Sequence, residues 1–97
     1  MQSAIYCGHV QLILIRHGQS GNNLLFEQTG SAVGRHPDTP LTDLGHRQAR
    51  RTADFLASDP VELPWRITHL YTSLMTRAVQ TASPIADALD LPLHALA

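Results

Sequence analysis

Residues 10–15 read VQLILI, and the residues that follow, Arg16, His17 and Gly18, change abruptly from apolar to polar. A short, nearly continuous apolar run that ends this sharply is typical of a strand buried on both faces, as in a parallel sheet. In open parallel sheets, the groups that bind ligands collect beyond the carboxyl ends of the strands. We therefore predict a core strand over 10–15, with functional residues directly after it.

A loop with one short helix is predicted over residues 18–40, which are rich in Gly and Pro. Thr42 is suited to cap a second helix, because its hydroxyl can accept a hydrogen bond from the first turn. Ala49, Ala53 and Leu56 then fall on one stripe at helical spacing, which predicts the buried face of that helix. Ser58-Asp59-Pro60 is expected to end it.

The second half of the chain predicts two more strands with a helix between them. Residues 67–72 (ITHLYT) are rich in β-branched and aromatic side chains, which favours a strand. Ser73 is positioned to begin a helix in which Pro84 is expected to cause a kink, and residues 91–96 suit a third strand. Because strands alternate with helices, we predict an α/β fold with a parallel sheet.

Composition narrows the classes of function. The chain has 97 residues, 43% hydrophobic and 15% charged, which indicates a globular domain or part of one. Its net charge of −1 offers no electrostatic attraction for nucleic acid or an anionic membrane. Cys7 is the single cysteine, so no internal disulfide is expected, and no metal-ligand or cofactor motif is found. The apolar run 12–15 is too short for an export signal, so we expect a cytoplasmic protein.

Two arginines and a histidine are predicted to meet at the sheet edge. Arg16 and His17 follow the first strand, and Arg77 lies just after the second. Arginine binds phosphoryl oxygens with forked donors, and a neutral imidazole among cations can attack phosphorus. Asn23 could donate a further hydrogen bond. These residues indicate phosphoryl chemistry, although an incidental histidine beside an arginine is the alternative from residue types alone.

Three motifs, in this order and spacing, resemble the histidine phosphatase superfamily, which includes the phosphoglycerate mutases. They are Arg16-His17-Gly18-Gln19-Ser20 with Asn23, Pro40-Leu41-Thr42-Asp43-Leu44-Gly45 with Gln48-Ala49, and Tyr71-Thr72-Ser73 with Arg77-Ala78 and Gln80-Thr81-Ala82. The resemblance covers residues 10 to about 90. It implies a three-layer α/β/α arrangement around the parallel sheet, and a phosphorylated small molecule as the substrate.

The resemblance also implies a role for each matching residue. His17 would be the nucleophile that becomes phosphohistidine, and Arg16 and Arg77 would be catalytic residues that bind the transferred phosphoryl group. Asn23 would assist them. Gln19 and Ser20 would belong to the substrate-binding loop.

Several other residues are interpreted as structural or solvent-exposed. Gly45 and Thr81 are expected to pack rather than to act, although both belong to the motifs. Arg47, Arg50 and Arg51 are interpreted as a solvated helix face. The histidines outside the motifs are expected to be surface residues, and His36 is the one whose loop could overhang the site.

Hydrolysis of a phosphomonoester through phosphohistidine on His17 is the principal functional interpretation. Mutases of the family usually have a Gly-Trp-x-Asp segment, whereas residues 34–40 read GRHPDTP, and the sole Trp is Trp65. A mutase-type phosphotransferase is the first alternative, and a non-catalytic module that binds a phospho-ligand or a partner is the second. Family members also use a general acid and a second histidine farther along the chain. We therefore expect 1–97 to be the amino-terminal part of one domain, nearly inactive alone.

Overall fold

The computed structural model describes residues 2–7, 10–58 and 66–96. Its elements, in chain order, are β1 (Gln2–Cys7), β2 (Val10–Ile15), α1 (Gly21–Thr29), α2 (Asp43–Ala57), β3 (Leu70–Ser73), α3 (Thr76–Leu89) and β4 (Leu93–Leu96). Helices alternate with strands along the second half of the chain, and β3 pairs with β4 in parallel. The α/β class is therefore confirmed, and this mixture of helices and parallel strands is consistent with part of the predicted fold.

The unit β3–α3–β4 carries the parallel pairing. Leu70 is opposite Leu93, and Ser73 is opposite Leu96. Parallel neighbours need a crossover, which α3 provides by packing on both strands. Both strands begin later than predicted, by three residues for β3 and by two for β4.

The prediction that residues 10–15 are buried on both faces is wrong. This strand, β2, pairs antiparallel with β1, with Gln2 opposite Ile15. Leu12 and Leu14 on one face are 48% and 52% exposed. Among the described residues, β2 shares no sheet with β3 and β4. An apolar run indicates a strand, but it does not specify the partner or what covers each face, because both depend on the rest of the chain.

The core lies between α2 and α3, the two helices that make the largest contact in the described chain. Ala53 and Leu56 of α2 pack with Ile85 of α3, and all three are buried. Ile15, Ile67, Leu70 and Leu89 surround this centre. The stripe predicted from helical spacing is therefore confirmed as the buried face of α2.

Helix α2 begins and ends where the sequence predicted, whereas α3 begins later than predicted. Thr42 caps α2, since its hydroxyl accepts a hydrogen bond from the N–H of Gly45. Ser58 is the C-cap of α2, and Asp59 and Pro60 lie outside the described residues. Helix α3 begins three residues after Ser73, and Pro84 lies inside it. None of the helices within the described ranges is both long enough and apolar enough to cross a membrane.

Candidate active site

The loop after β2 rests directly on the first turn of α2, and two glycines permit this contact. A Cβ atom on Gly18 would lie 2.5 Å from the carbonyl oxygen of Gly45. A Cβ atom on Gly45 would collide with the carbonyl oxygen of Gln19. Gly18 and Gly45 therefore allow the two backbones to approach more closely than any residue with a side chain would permit.

Side chains of α2 and α3 hold the backbone of this region through three long-range hydrogen bonds. The pairs are Gly18 N to Thr81 Oγ1 at 3.1 Å, Gln19 N to Gln48 Oε1 at 2.8 Å, and Leu41 N to Gln80 Oε1 at 2.7 Å. Each bond satisfies a backbone N–H that lies outside regular secondary structure. These positioning roles were not predicted, although the presence of Gln48, Gln80 and Thr81 in the motifs was a signal for them.

Gln19 also joins the loop after β2 to the loop before α2. Its carbonyl oxygen accepts from the N–H of Thr42 at 2.9 Å, and its side-chain Oε1 accepts from the Thr42 hydroxyl at 2.7 Å. Its Nε2 donates to Glu27 at 3.1 Å. Because the side-chain amide is engaged at both ends, Gln19 orders the loop that carries His17.

The imidazole of His17 is half-buried and held in one tautomer. Its Nδ1 lies 2.6 Å from the carbonyl oxygen of Gly18. A carbonyl oxygen only accepts hydrogen bonds, so Nδ1 carries the proton and Nε2 keeps its lone pair in the neutral ring. This arrangement leaves Nε2 as the atom that can act as a nucleophile.

One cleft of about 820 Å³ brings together all six residues predicted for the site: Arg16, His17, Gln19, Ser20, Asn23 and Arg77. It also contains three charged side chains that were not assigned to the site: Glu27, Arg35 and Arg51. The lining residues come from the loop after β2, from α1 and the loop after it, from the face of α2 that carries Gln48, and from α3. Within residues 2–7, 10–58 and 66–96, no group of three or more His, Cys, Asp and Glu side chains is placed to hold a metal ion.

Ser20 and Asn23 form the N-terminal cap of α1. The N–H and the hydroxyl of Ser20 each donate to Oδ1 of Asn23 at 3.0 Å, and the N–H of Asn23 donates back to Oγ of Ser20 at 3.3 Å. Ser20 is 1% exposed. The cap occupies Oδ1 and leaves the Nδ2 donors of Asn23 outside it. Asn23 as a phosphoryl donor is therefore compatible with the cap, whereas the hydroxyl of Ser20 serves the cap.

Asp38 supplies the cap that α3 lacks in its own sequence. The N-cap residue of α3, Met75, makes no side-chain capping bond. Asp38 instead accepts from the Thr76 N–H at 2.9 Å and from the Thr76 hydroxyl at 2.7 Å. These bonds, with the positive charge of Arg77 nearby, hold the pKa of Asp38 below its ordinary value of 3.8. The loop before α2 is thereby tied to the turn that carries Arg77.

We expect Asp38→Asn to lower the thermal unfolding midpoint at neutral pH. The substitution removes a carboxylate whose negative charge interacts favourably with the N-terminus of α3 and accepts hydrogen bonds from Thr76. The pKa of Asp38 is lower in the folded state than in the unfolded state. Its negative charge therefore stabilises the fold above pH 3.8, and this stabilisation is lost as the pH falls through the folded-state pKa. The difference between wild type and variant should therefore be constant near pH 7 and should shrink below about pH 4. Calorimetric melts across this range test it, and a difference that grows in acid would contradict it.

Comparison with known proteins shows the family to which the chain belongs. A sequence model of the histidine phosphatase superfamily (branch 1) matches residues 12–97. The 2,3-bisphosphoglycerate-dependent phosphoglycerate mutases of Corynebacterium efficiens and Maricaulis maris are each 40% identical over 80 residues, which cover 82% of this chain and 28% and 29% of those proteins. A probable phosphoglycerate mutase of Yersinia enterocolitica is 38% identical over 82 residues, which cover 84% of this chain and 33% of that protein. The chain thus spans a third or less of the length of these relatives, and it belongs to the histidine phosphatase superfamily.

Proposed function

We propose that this chain supplies the nucleophile of a phosphotransferase, and that His17 takes a phosphoryl group from a phosphomonoester. The single observation that supports this most is the 2.6 Å contact between Nδ1 of His17 and the carbonyl oxygen of Gly18, which assigns the ring proton to Nδ1 and leaves the lone pair on Nε2. Arg16 and Arg77 line the same cleft and can bind the phosphoryl oxygens as charge develops on them. The N-terminal turn of α3, which carries Arg77, adds a favourable dipole.

The proposed step is an in-line displacement at phosphorus. Nε2 of His17 forms the N–P bond while the P–O bond to the alcohol breaks, and the alcohol oxygen takes up a proton. The phosphoryl group then moves from Nε2 to an acceptor oxygen, which restores the neutral ring. If the acceptor is water, the reaction is hydrolysis, and if it is the hydroxyl of a second phosphorylated molecule, the reaction is that of a mutase.

Two observations favour different acceptors. Residues 34–40 lack the tryptophan of the usual mutase segment, which is why hydrolysis was the first interpretation. The similar proteins, however, are named phosphoglycerate mutases, at 38% to 40% identity. The relatives favour the mutase alternative over hydrolysis, and we propose mutase-type transfer as the activity to which this chain contributes.

A chase of phosphorylated protein separates the two acceptors. The protein is labelled with p-nitrophenyl [32P]phosphate, freed of donor, and divided between buffer and buffer with 3-phosphoglycerate. Mutase-type transfer predicts that the label passes to the free hydroxyl of 3-phosphoglycerate and yields bisphosphoglycerate. Hydrolysis predicts inorganic phosphate at the same rate in both halves. Failure to form any acid-labile labelled histidine would overturn the proposal itself.

A further inference from the structure

The peptide group that joins Gly18 to Gln19 lies between the His17 ring and helix α2. Its carbonyl oxygen, on Gly18, lies 2.6 Å from Nδ1 of His17. Its N–H, on Gln19, donates to Oε1 of Gln48 at 2.8 Å. A trans peptide group is planar, so its N–H and its C=O point in opposite directions. A side chain that fixes the direction of the N–H therefore fixes the direction of the carbonyl as well.

The two neighbouring peptide groups are held by other residues. The N–H of Gly18, in the preceding group, donates to Oγ1 of the buried Thr81 at 3.1 Å. The carbonyl of Gln19, in the following group, accepts from the N–H of Thr42 at 2.9 Å. These bonds hold the loop on both sides, but they do not act on the group between them. Glycine tolerates a wide range of backbone angles, so Gly18 itself imposes little restraint on the orientation of that group.

We propose that Gln48 is a positioning residue for the proposed reaction. By accepting from the N–H of Gln19, it directs the carbonyl of Gly18 toward Nδ1 of His17 and so keeps the ring proton off Nε2. The inference rests on the proposed function, in which Nε2 is the nucleophile. The hydrogen bond made by one ring nitrogen decides which tautomer an imidazole adopts. Without that bond the proton can occupy Nε2, whose lone pair is then no longer available to phosphorus.

The exposure of Gln48 separates an effect on orientation from an effect on stability. Gln48 is exposed and lines the cleft. In a variant without Oε1, water can reach the N–H of Gln19, so no buried donor is left unpaired. Water accepts from this N–H in any direction, whereas Oε1 is attached to α2. Loss of the amide oxygen should therefore change the tautomer of His17 and leave the fold nearly as stable.

Gln48→Met tests this on the full chain, because methionine keeps the length of the side chain and removes the amide oxygen. Nitrogen NMR in alkaline buffer, where imidazole rings are neutral, distinguishes a protonated ring nitrogen from one with a lone pair. The signals of His17 are identified by their loss in His17→Ala. We expect the proton on Nδ1 in the wild type and a mixture of tautomers in Gln48→Met.

Two further measurements accompany the NMR of Gln48→Met. The urea midpoint should be nearly that of the wild type. The rate of labelling by radioactive p-nitrophenyl phosphate should fall about fivefold, the factor that loss of one hydrogen bond typically causes. A large fall in the urea midpoint together with the tautomer change would show that Gln48 supports the fold, and it would overturn the positioning role.

Two variants serve as controls for the tautomer. Gln48→Glu keeps a side-chain oxygen that can accept from the N–H, and it should retain the proton on Nδ1 of His17. Gln80→Met removes the same kind of bond, from the N–H of Leu41 to Oε1 at 2.7 Å, at a residue that does not line the cleft. It should also retain the wild-type tautomer. A mixture of tautomers in either control would overturn the role of Gln48.

The two proposals fail in different ways. If the wild type is labelled and Gln48→Met retains the proton on Nδ1, the positioning role is overturned while the proposed function stands. If the wild type forms no phosphohistidine and Gln48→Met still moves the proton to Nε2, the proposed function fails. Control of the tautomer by Gln48 then stands without its catalytic consequence.

Discussion

Replacing His17 by alanine is expected to abolish covalent labelling of the protein by p-nitrophenyl [32P]phosphate. The reason is chemical: Nε2 of His17 is the one imidazole nitrogen that the described cleft presents with a lone pair beside two arginines. The leaving group of this donor departs as an anion, so labelling depends little on a general acid. The measurement is the amount of acid-labile, alkali-stable label per protein after a single exposure to the donor.

His94→Ala is the control for this experiment. His94 lies exposed on β4, where its ring packs near Tyr71 and contributes nothing to the cleft. The control should be labelled as fully as the wild type. Label that persists in His17→Ala, or that disappears equally in His94→Ala, would contradict the assignment of His17 as the nucleophile.

Gly45→Ala is expected to have the second largest effect, a loss of both stability and labelling. Two opposing contributions to stability decide the result: helix propensity and a steric collision. Alanine inside a helix is favoured over glycine by about 1 kcal/mol, so a free helix would be stabilised. Here, however, the new Cβ would collide with the backbone carbonyl of Gln19, which cannot move aside as a flexible side chain does. Overpacking of this kind typically costs about 1–3 kcal/mol or more, so the collision should prevail.

The expected result is a lower urea midpoint and a reduced rate of labelling. Relief of the collision must move the loop of Gln19 away from α2, and this strains the three hydrogen bonds from Thr42 to Gln19. The same movement displaces His17, and a displacement of about 1 Å at a reacting group can cost roughly a hundredfold in rate. Urea titration and the single-exposure labelling rate measure the two effects separately.

Gly21→Ala is the matched control, because Gly21 is also a glycine in the first turn of a helix beside the site. Its Cβ would lie 3.3 Å from a side-chain carbon of Thr39, which can yield by a few tenths of an ångström. This variant should lose little stability. A Gly45→Ala protein that is about 1 kcal/mol more stable than wild type would show that helix propensity prevails and that the contact is loose.

Local patterns explain which parts of the fold the sequence predicted well. The cap at Thr42 involves a hydroxyl and an N–H three residues apart. The buried stripe of α2 follows from helical periodicity alone, and its members are all buried. The sequence predicted one short helix within residues 18–40, which is α1, but it did not predict where that helix begins and ends. Such features depend on neighbours within a turn of helix, so the amino-acid order is sufficient to predict them.

Long-range contacts explain what could not be predicted. The bond from Gly18 to Thr81 joins residues 63 apart, and the bonds from Asp38 to Thr76 join residues 38 apart. Thr81 was expected only to pack, because a threonine at a buried helical position does not reveal which backbone N–H it will meet. The pairing of β2 with β1 was missed for the same reason, since an apolar run is compatible with several partners.

The sequence by itself determined the superfamily, the α/β class and the identity of the candidate nucleophile and its two arginines, because these depend on residue types in a specific order. The tertiary structure alone decided the tautomer of His17, the contact between Gly18 and Gly45, and the inclusion of Arg35 and Arg51 in the cleft. The tautomer follows from the backbone conformation directly after His17, whereas the glycine contact and the lining of the cleft depend on distances between segments that are far apart in the chain. Only packing brings such segments within reach, and no local pattern of residues encodes that distance.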